Sequence, residues 1–241
     1  MVMLLAIVVL GSWWGLADGI TSDDDSAPRE PSFISAPPPR AYGPPDTVEY
    51  KPGLNLDVYR PKGPGPFPAV LLIHGGGFTV GSRGDLAFTG VELADRGVLA
   101  ASVDYTLTGS IDPARADVAD AYEWLTQQPD VDPARVALLG TSAGCALSAW
   151  HALSTHEPRA AVLVACPMFF PDLVSSSEPE ILLVTNTGDT NLHPYSKTLD
   201  QLLTERGARH DVVVHRGGDH FSTLGDNWPA VAAWLLPRLK P

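Results

Sequence analysis

The chain has 241 residues, which is enough for one globular domain and an additional segment. Hydrophobic residues make up 44% of it, so a large core is expected. The formal net charge of -12 argues against nucleic acid and anionic membrane surfaces as partners, and it favours neutral or cationic substrates. The seven histidines and two cysteines show none of the motif spacings of zinc sites, so neither a metal nor another cofactor is expected.

The first 20 residues are predicted to be a signal peptide or a short membrane anchor rather than part of the fold. An apolar run from Leu4 to Leu10 is followed by two tryptophans and then by acidic residues. Because a spanning helix needs roughly 20 apolar residues, the stretch is marginal as an anchor. We therefore expect an exported protein, either secreted or tethered outside the cytoplasm, and the alternative is a cytoplasmic protein with an apolar start. Residues 21–45 are rich in Pro, Ser and Asp and predict a disordered linker, which leaves residues 46–241 for the folded domain.

Hydrophobic patterns beyond the linker alternate between strands and helices. Alternation at residues 54–59 predicts a half-exposed antiparallel strand. Short apolar runs predict further strands, most of them buried on both faces, at residues 69–73, 98–103, 135–139, 160–164, 181–184 and 212–214. Helical patterns fall between these runs, at residues 85–96, from 113, after 142, at 195–203 and near 231–235. This order predicts the α/β class, with a mostly parallel central sheet and helices on both faces.

Four polar residues follow the ends of predicted strands: His74, Ser142, Asp189 and His220. In mostly parallel sheets, ligands bind at the carboxyl ends of the strands. Since four unrelated polar residues would seldom all fall at such positions, the pattern predicts a functional site at this edge of the sheet.

The segment Gly140-Thr141-Ser142-Ala143-Gly144 is a G-x-S-x-G motif between a predicted strand and a predicted helix. A serine hydroxyl is a weak nucleophile, so it must be held out of the backbone and offered to a base. Glycines on either side relieve the crowding of the sharp turn because they lack a Cβ atom. The alternative is a glycine-rich connection with an incidental serine.

The chain resembles the α/β-hydrolases because it contains three of their motifs in the order in which that family carries them. These are His74-Gly75-Gly76-Gly77-Phe78, Gly140-Thr141-Ser142-Ala143-Gly144, and then Asp189 with His220. More narrowly, it resembles the HGGG-type esterases and lipases, the hormone-sensitive-lipase-like group and its compact carboxylesterase relatives. The resemblance covers the whole chain after the linker and implies the α/β-hydrolase fold. The interval Cys166–Glu180 is short and contains three prolines, so no sizeable lid domain is expected.

The resemblance implies a catalytic triad of Ser142 as nucleophile, His220 as proton acceptor and Asp189 as the residue that orients His220. His193 is the one serious alternative to His220, and Asp172 is the runner-up to Asp189. The family often carries a second acidic residue two places after the triad acid, where this chain has an asparagine. This departure weakens the match slightly but leaves the acid in place.

The backbone N–H groups of Gly76, Gly77 and Ala143 are the oxyanion donors that the resemblance implies. Phe78, Met168 and Phe169 are expected to line the substrate pocket, with ordinary core packing as the alternative for Met168 and Phe169. Cys145 opens the predicted helix after Ser142 and Cys166 ends the next predicted strand, so both could lie close to the serine. They form either a disulfide, which an exported protein would permit, or two buried thiols.

The predicted function is hydrolysis of small-molecule carboxylic esters with short acyl chains, through an acyl-enzyme. One alternative is an amide hydrolase of the arylformamidase type, although those enzymes tend to carry a Trp where this chain has Phe78. The other is a non-catalytic binding protein with an unreactive serine. The sequence leaves the oligomeric state open.

Overall fold

The computed structural model describes residues 44–167, 170–176 and 179–240. The predicted signal peptide or anchor lies outside these residues, as does the linker up to residue 43. None of the helices in the described part of the chain is long and apolar enough to cross a lipid bilayer.

Eight strands within the described residues form one sheet. The strands are β1 (Asp46–Lys51), β2 (Leu54–Tyr59), β3 (Phe67–Ile73), β4 (Leu99–Val103), β5 (Val131–Thr141), β6 (Ala160–Val164), β7 (Glu180–Asn186) and β8 (His210–His215). Their spatial order is β1-β2-β4-β3-β5-β6-β7-β8. β1 and β2 pair antiparallel with each other and β2 pairs antiparallel with β4, whereas every pairing from β4 to β8 is parallel. The predicted fold class is therefore confirmed.

Helices cover both faces of this sheet. They are α1 (Ala87–Ala94), α2 (Ile111–Thr126), α3 (Ala143–Thr155), α4 (His193–Glu205) and α5 (Thr223–Arg238), with short 3-10 helices at Arg83–Leu86 and Pro171–Leu173. Alternate side chains of β3 pack into the hydrophobic cores on opposite faces of the sheet. Leu71 packs on the side of α2, α3 and α4, and Leu72 packs on the side of α1 and α5. Because both faces are covered, the central strands read as continuous apolar runs rather than alternating ones.

Three local predictions differ from the structure. Strand β1 was not predicted, and β2 is buried along Leu56–Tyr59 rather than half exposed, because it lies between β1 and β4. Burial of Asp57 is accommodated by hydrogen bonds that its carboxylate accepts from Thr47 and Arg83. The helix predicted at residues 85–96 is divided into the 3-10 helix Arg83–Leu86, which Ser82 caps, and α1.

Candidate active site

Ser142 occupies the sharp turn between β5 and α3. Its backbone has a positive φ of 53° with ψ -118°, a conformation that is uncommon for a residue with a side chain. A Cβ atom on Gly140 would clash with the carbonyl of Gly144, and one on Gly144 would clash with the carbonyl of Ile73. Both glycines are therefore required by the close approach of the backbone around the turn.

The structure brings Ser142, His220 and Asp189 into one hydrogen-bonded chain. His220 Nε2 lies 3.0 Å from Ser142 Oγ, and His220 Nδ1 lies 2.7 Å from Asp189 Oδ2. Asp189 is only 5% exposed, and its Oδ1 accepts the backbone N–H of Leu192 at 3.1 Å. The carboxylate is thus fixed on both oxygens and holds the imidazole edge-on towards the serine.

The alternative triad residues lie elsewhere. His193 Nδ1 is 3.2 Å from Thr185 Oγ1, at the start of α4. Asp172 lies in the 3-10 helix Pro171–Leu173 with its side chain exposed. Within the described part of the chain, neither residue hydrogen-bonds to Ser142 or His220.

A buried asparagine at the end of β7 anchors the loop that carries His220. Asn186 Nδ2 donates to the carbonyl of Asp219 at 3.2 Å, to Ser222 Oγ at 3.2 Å and to Asp226 Oδ2 at 2.8 Å. Its Oδ1 accepts a hydrogen bond of 2.9 Å from Asn227 Nδ2. The sequence analysis missed Asn186, and the only signal for it was a polar residue that ends an apolar strand.

Two stacked rings, those of His74 and Tyr105, support the glycine motif after β3. His74 is buried, stacks on Tyr105 with ring centroids 4.2 Å apart, and places its Nδ1 2.6 Å from the carbonyl of Gly75. Tyr105 Oη donates to the carbonyls of His74 and Gly75 at 3.0 and 3.2 Å. Burial lowers the pKa of His74, so the ring is neutral at neutral pH and serves as a hydrogen-bonding support for the loop.

Gly76 and Gly77 turn the backbone with φ 107° and 60°. A Cβ atom on Gly76 would clash with the carbonyl of Val80, so no other residue fits there without a shift of the loop. Gly76 borders the cavity beside Ser142, and Ala143 is the first residue of α3. The loop and the helix start therefore flank the serine.

An open cavity of about 680 Å³ lies beside Ser142 and His220. Its walls come mainly from the loop after β3, from α1 and from the start of α5. They include Val80, Leu86, Phe88, Leu224 and Trp228, together with Asp85 and Thr89. No group of three or more metal-ligating side chains in the described residues could hold a metal ion.

Of the pocket residues predicted from the sequence, Phe78 lies in the described part of the chain, and it does not form these walls. Phe78 has φ 63° and is 8% exposed, and its side chain packs in the core on the side of α2 and α3. The prediction that it lines the pocket is therefore wrong, because the left-handed turn at this position directs the ring into the protein. Met168 and Phe169 lie outside the described residues.

Cys145 and Cys166 are joined by a disulfide, with their Cα atoms 5.2 Å apart. Both residues are buried. The bond connects the first turn of α3 to the chain just after β6, where Val164 and Ala165 border the cavity. The disulfide alternative left open by the sequence is thus the one that the structure contains.

Two solved forms of an esterase share this architecture. Apo Thermogutta terrifontis esterase 2 has a TM-score of 0.73 and 19% identity, and the alignment covers 85% of this chain and 99% of that one. The same enzyme phosphorylated by paraoxon has a TM-score of 0.70 and 20% identity, covering 80% of this chain and 90% of that one. At such low identity, the likeness shows the fold.

Curated relatives match over shorter stretches. The chain is 31% identical over 105 residues to a probable isoprenylcysteine alpha-carbonyl methylesterase of Oryza sativa subsp. japonica, covering 41% of this chain and 25% of that protein. It is 33% identical over 147 residues to a non-reducing polyketide synthase of Acremonium egyptiacum, covering 51% of this chain and 7% of that protein. The chain thus matches a quarter or less of the length of these relatives.

The family model that describes the alpha/beta hydrolase fold matches residues 70–224, which is more than half of the chain. This range contains the glycine motif, the serine turn, Asp189 and His220. With the sheet order and the turn geometry in agreement, the chain belongs to the α/β-hydrolase fold family.

Proposed function

We propose that this protein is a serine hydrolase that cleaves carboxylic esters of small molecules through an acyl-enzyme, with Ser142, His220 and Asp189 as its catalytic triad. The observation that carries the proposal is the unbroken chain of hydrogen bonds, 3.0 Å from serine to histidine and 2.7 Å from histidine to aspartate.

The hydrogen-bond partners of His220 fix where its proton lies. The carboxylate of Asp189 can only accept hydrogen bonds, so Nδ1 of a neutral His220 carries the proton. Nε2 is then free to take the proton of Ser142 Oγ as this oxygen attacks the ester carbonyl. The resulting imidazolium is stabilised by Asp189 and returns the proton to the leaving alcohol. Water then attacks the acyl-enzyme with His220 as the base, which releases the acid and restores Ser142.

Backbone N–H groups of Gly76, Gly77 and Ala143 are proposed to stabilise the negative oxygen that forms during attack. Among the described residues, none of these three groups donates a hydrogen bond to a protein acceptor. The N–H of Ala143 is unpaired because it lies in the first turn of α3, where no preceding helical carbonyl is available. Donors of this kind typically contribute about 10²- to 10³-fold each to the rate.

A preference for short acyl chains is proposed from the shape of the site. Between β6 and β7, the described residues contain only the 3-10 helix Pro171–Leu173 and no segment that could act as a lid domain. The esterase from Thermogutta terrifontis has been solved with propionate and with butyrate bound, which is consistent with short acyl groups in this fold.

Export is proposed as the location of the protein, with the N-terminal apolar segment as a signal peptide or a tether. The disulfide between Cys145 and Cys166 supports this location, because disulfides persist mainly in oxidising compartments. Cell fractionation of a C-terminally tagged protein tests it, and recovery of the tag only in the cytoplasm would reject it.

The test of the esterase proposal combines p-nitrophenyl acetate hydrolysis with labelling by a fluorophosphonate probe. Ser142→Ala should lose the label and retain less than about 10⁻³ of the activity, since triad residues act as a unit. The matched control is Ser154→Ala, which changes an exposed serine near the end of the same helix and should behave as wild type. A labelled or active Ser142→Ala variant would reject the triad, and faster turnover of N-formylkynurenine than of the ester would identify an amide hydrolase instead.

A further inference from the structure

The cavity beside Ser142 is bordered by a carboxylate that has no cationic partner among the described residues. Asp85 borders the cavity from the 3-10 helix Arg83–Leu86. Its two oxygens accept hydrogen bonds from the backbone N–H of Ser82 at 3.1 Å and from Ser82 Oγ at 3.2 Å. These donors are uncharged, so they hold the carboxylate in place without cancelling its charge.

The nearest cation along the chain, Arg83, is paired with other residues. Its Nε lies 2.8 Å from Asp57 Oδ1, and its Nη1 lies 2.5 Å from Asp104 Oδ2. Neither lysine nor arginine borders the cavity among the described residues. The protein as a whole has a formal charge of -12, which adds to the attraction of cations towards the site.

Aromatic rings line the same cavity. Phe88 is 52% exposed, and Phe221, which packs edge-on to the His220 ring, is 92% exposed. Trp228 is buried, and its Nε1 donates to Glu92 Oε2 at 3.2 Å, which fixes the plane of the indole. The faces of such rings attract quaternary and protonated amines, and these cations also benefit from a nearby carboxylate.

We propose that the cavity selects esters whose alcohol or acyl part carries a positive charge, with Asp85, Phe88, Phe221 and Trp228 as the recognition groups. This inference rests on the proposed esterase function and assigns its substrate class. A carboxylate without a neighbouring positive charge would weaken binding of a purely apolar substrate, because the carboxylate would lose part of its hydration without compensation. A cationic group at the same position would compensate for that loss.

The test compares substrates that differ only in charge. One pair is acetylcholine and its carbon isostere, in which a quaternary carbon replaces the ammonium nitrogen. The second pair places the charge on the acyl side, as nitrophenyl trimethylammoniobutyrate and its carbon isostere. For each pair, the ratio of kcat/KM for the cationic ester to that for the neutral ester is measured in wild type and in Asp85→Asn. Comparing the two proteins cancels the difference in intrinsic reactivity between the esters.

In at least one pair, Asp85→Asn should lower this ratio about threefold or more, the size expected for a partly exposed cation site. The wild-type ratio should also fall as salt is raised, and that of the variant should fall less, because screening then acts only on the remaining charges of the protein. Phe88→Leu, which keeps apolar bulk without a ring, should lower the ratio as well. The matched control is Glu205→Gln, which removes one negative charge at the exposed end of α4 and should leave the ratio unchanged. Thermal unfolding of each variant checks that the fold is intact.

Equal kcat/KM ratios in wild type and Asp85→Asn for both pairs of esters would overturn the inference. Hydrolysis of p-nitrophenyl acetate by wild type would show in that case that the esterase proposal still stands. If wild type hydrolyses none of the esters, ligand-observed NMR with choline and its carbon isostere still decides the recognition. Saturation transfer to choline that is lost in Asp85→Asn supports the cation site. Equal saturation transfer from wild type to choline and to its carbon isostere would mean that the pocket binds apolar groups without regard to charge, and it would overturn the inference.

Discussion

The Nδ1 atom of His220 lies 2.7 Å from Oδ2 of Asp189, although the two residues are 31 positions apart in the chain. The second oxygen of the carboxylate is bound to the backbone N–H of Leu192. Asp189 therefore cannot rotate away without losing two hydrogen bonds, and it holds His220 in the tautomer that leaves Nε2 open towards Ser142.

Asp189→Asn should lower kcat by about 10⁴-fold while the fold remains intact, because the amide favours the wrong tautomer of His220. The measurement is steady-state hydrolysis of p-nitrophenyl acetate, with circular dichroism as a check of folding. The matched control is Asp172→Asn, which changes an exposed aspartate and should retain wild-type kcat. The reverse outcome for the two variants would reassign the triad acid.

Asn186→Leu should lower both the free energy of unfolding and kcat. The leucine keeps the branched shape of asparagine, although it is larger, and it cannot donate to the Asp219 carbonyl, Ser222 or Asp226, so the loop before His220 loses its anchor. Leaving buried polar groups unpaired costs about 1–3 kcal/mol each, so a loss of stability on this scale is expected from urea unfolding. Asn191→Leu, in the exposed turn after Asp189, serves as the control. Wild-type kcat in Asn186→Leu would show that the network does not position His220.

Replacing both Cys145 and Cys166 by alanine should lower the free energy of unfolding by about 3 kcal/mol, the loop-entropy contribution for a separation of 21 residues. Reductant should destabilise wild type and leave the double variant unaffected. The comparison is made by chemical unfolding with and without dithiothreitol. An equal response of the two proteins to reductant would show that the disulfide does not contribute to stability.

His151 should make the protein less stable in acid. It is buried in α3 with neither ring nitrogen hydrogen-bonded among the described residues, and burial lowers its pKa from 6.5 to about 4. Between these pH values the unfolded chain binds a proton that the folded protein excludes, so stability falls as the pH decreases from 6.5. The loss approaches about 3 kcal/mol by pH 4, after which the contribution becomes constant.

The variant His151→Phe should remove this contribution, because phenylalanine keeps the ring against Tyr122 and cannot bind a proton. The free energy of unfolding is measured by urea at several pH values from 4 to 7. His215→Gln changes an exposed histidine and should keep the wild-type pH dependence. An unchanged slope in His151→Phe would mean that another group causes the acid sensitivity.

For a series of p-nitrophenyl esters, kcat/KM should be highest from about acetyl to butyryl and should fall for longer chains. Each methylene that the cavity buries is worth about 0.8 kcal/mol, and a site without a lid can bury only a few of them. Lipid droplets should give no interfacial activation. A continuous rise in kcat/KM out to palmitate would contradict the lidless site.

Local sequence was sufficient for seven of the eight strands in the described residues and for the serine turn. A continuous apolar run predicts a strand from its own residues, and the observed limits of β6 agree with the predicted ones. Likewise, a G-x-S-x-G segment between a strand and a helix predicts the sharp turn at the serine on steric grounds, since there is no room for a Cβ atom at Gly140 or Gly144. The alternation of strands and helices along the chain then predicted a mostly parallel sheet.

Only the tertiary structure decided how distant segments meet around Ser142. The cavity walls Phe88 and Trp228 come from α1 and α5, which are far apart in sequence and lie on the same face of the sheet. The same holds for the anchoring of the His220 loop by Asn186 and for the pairing of Cys145 with Cys166. Phe78 was misplaced because one left-handed turn reversed the direction of its side chain. Periodicity and turn chemistry depend on neighbours in sequence, whereas the lining of a pocket depends on which helices pack together and at what angle, and these contacts are made only in the folded chain.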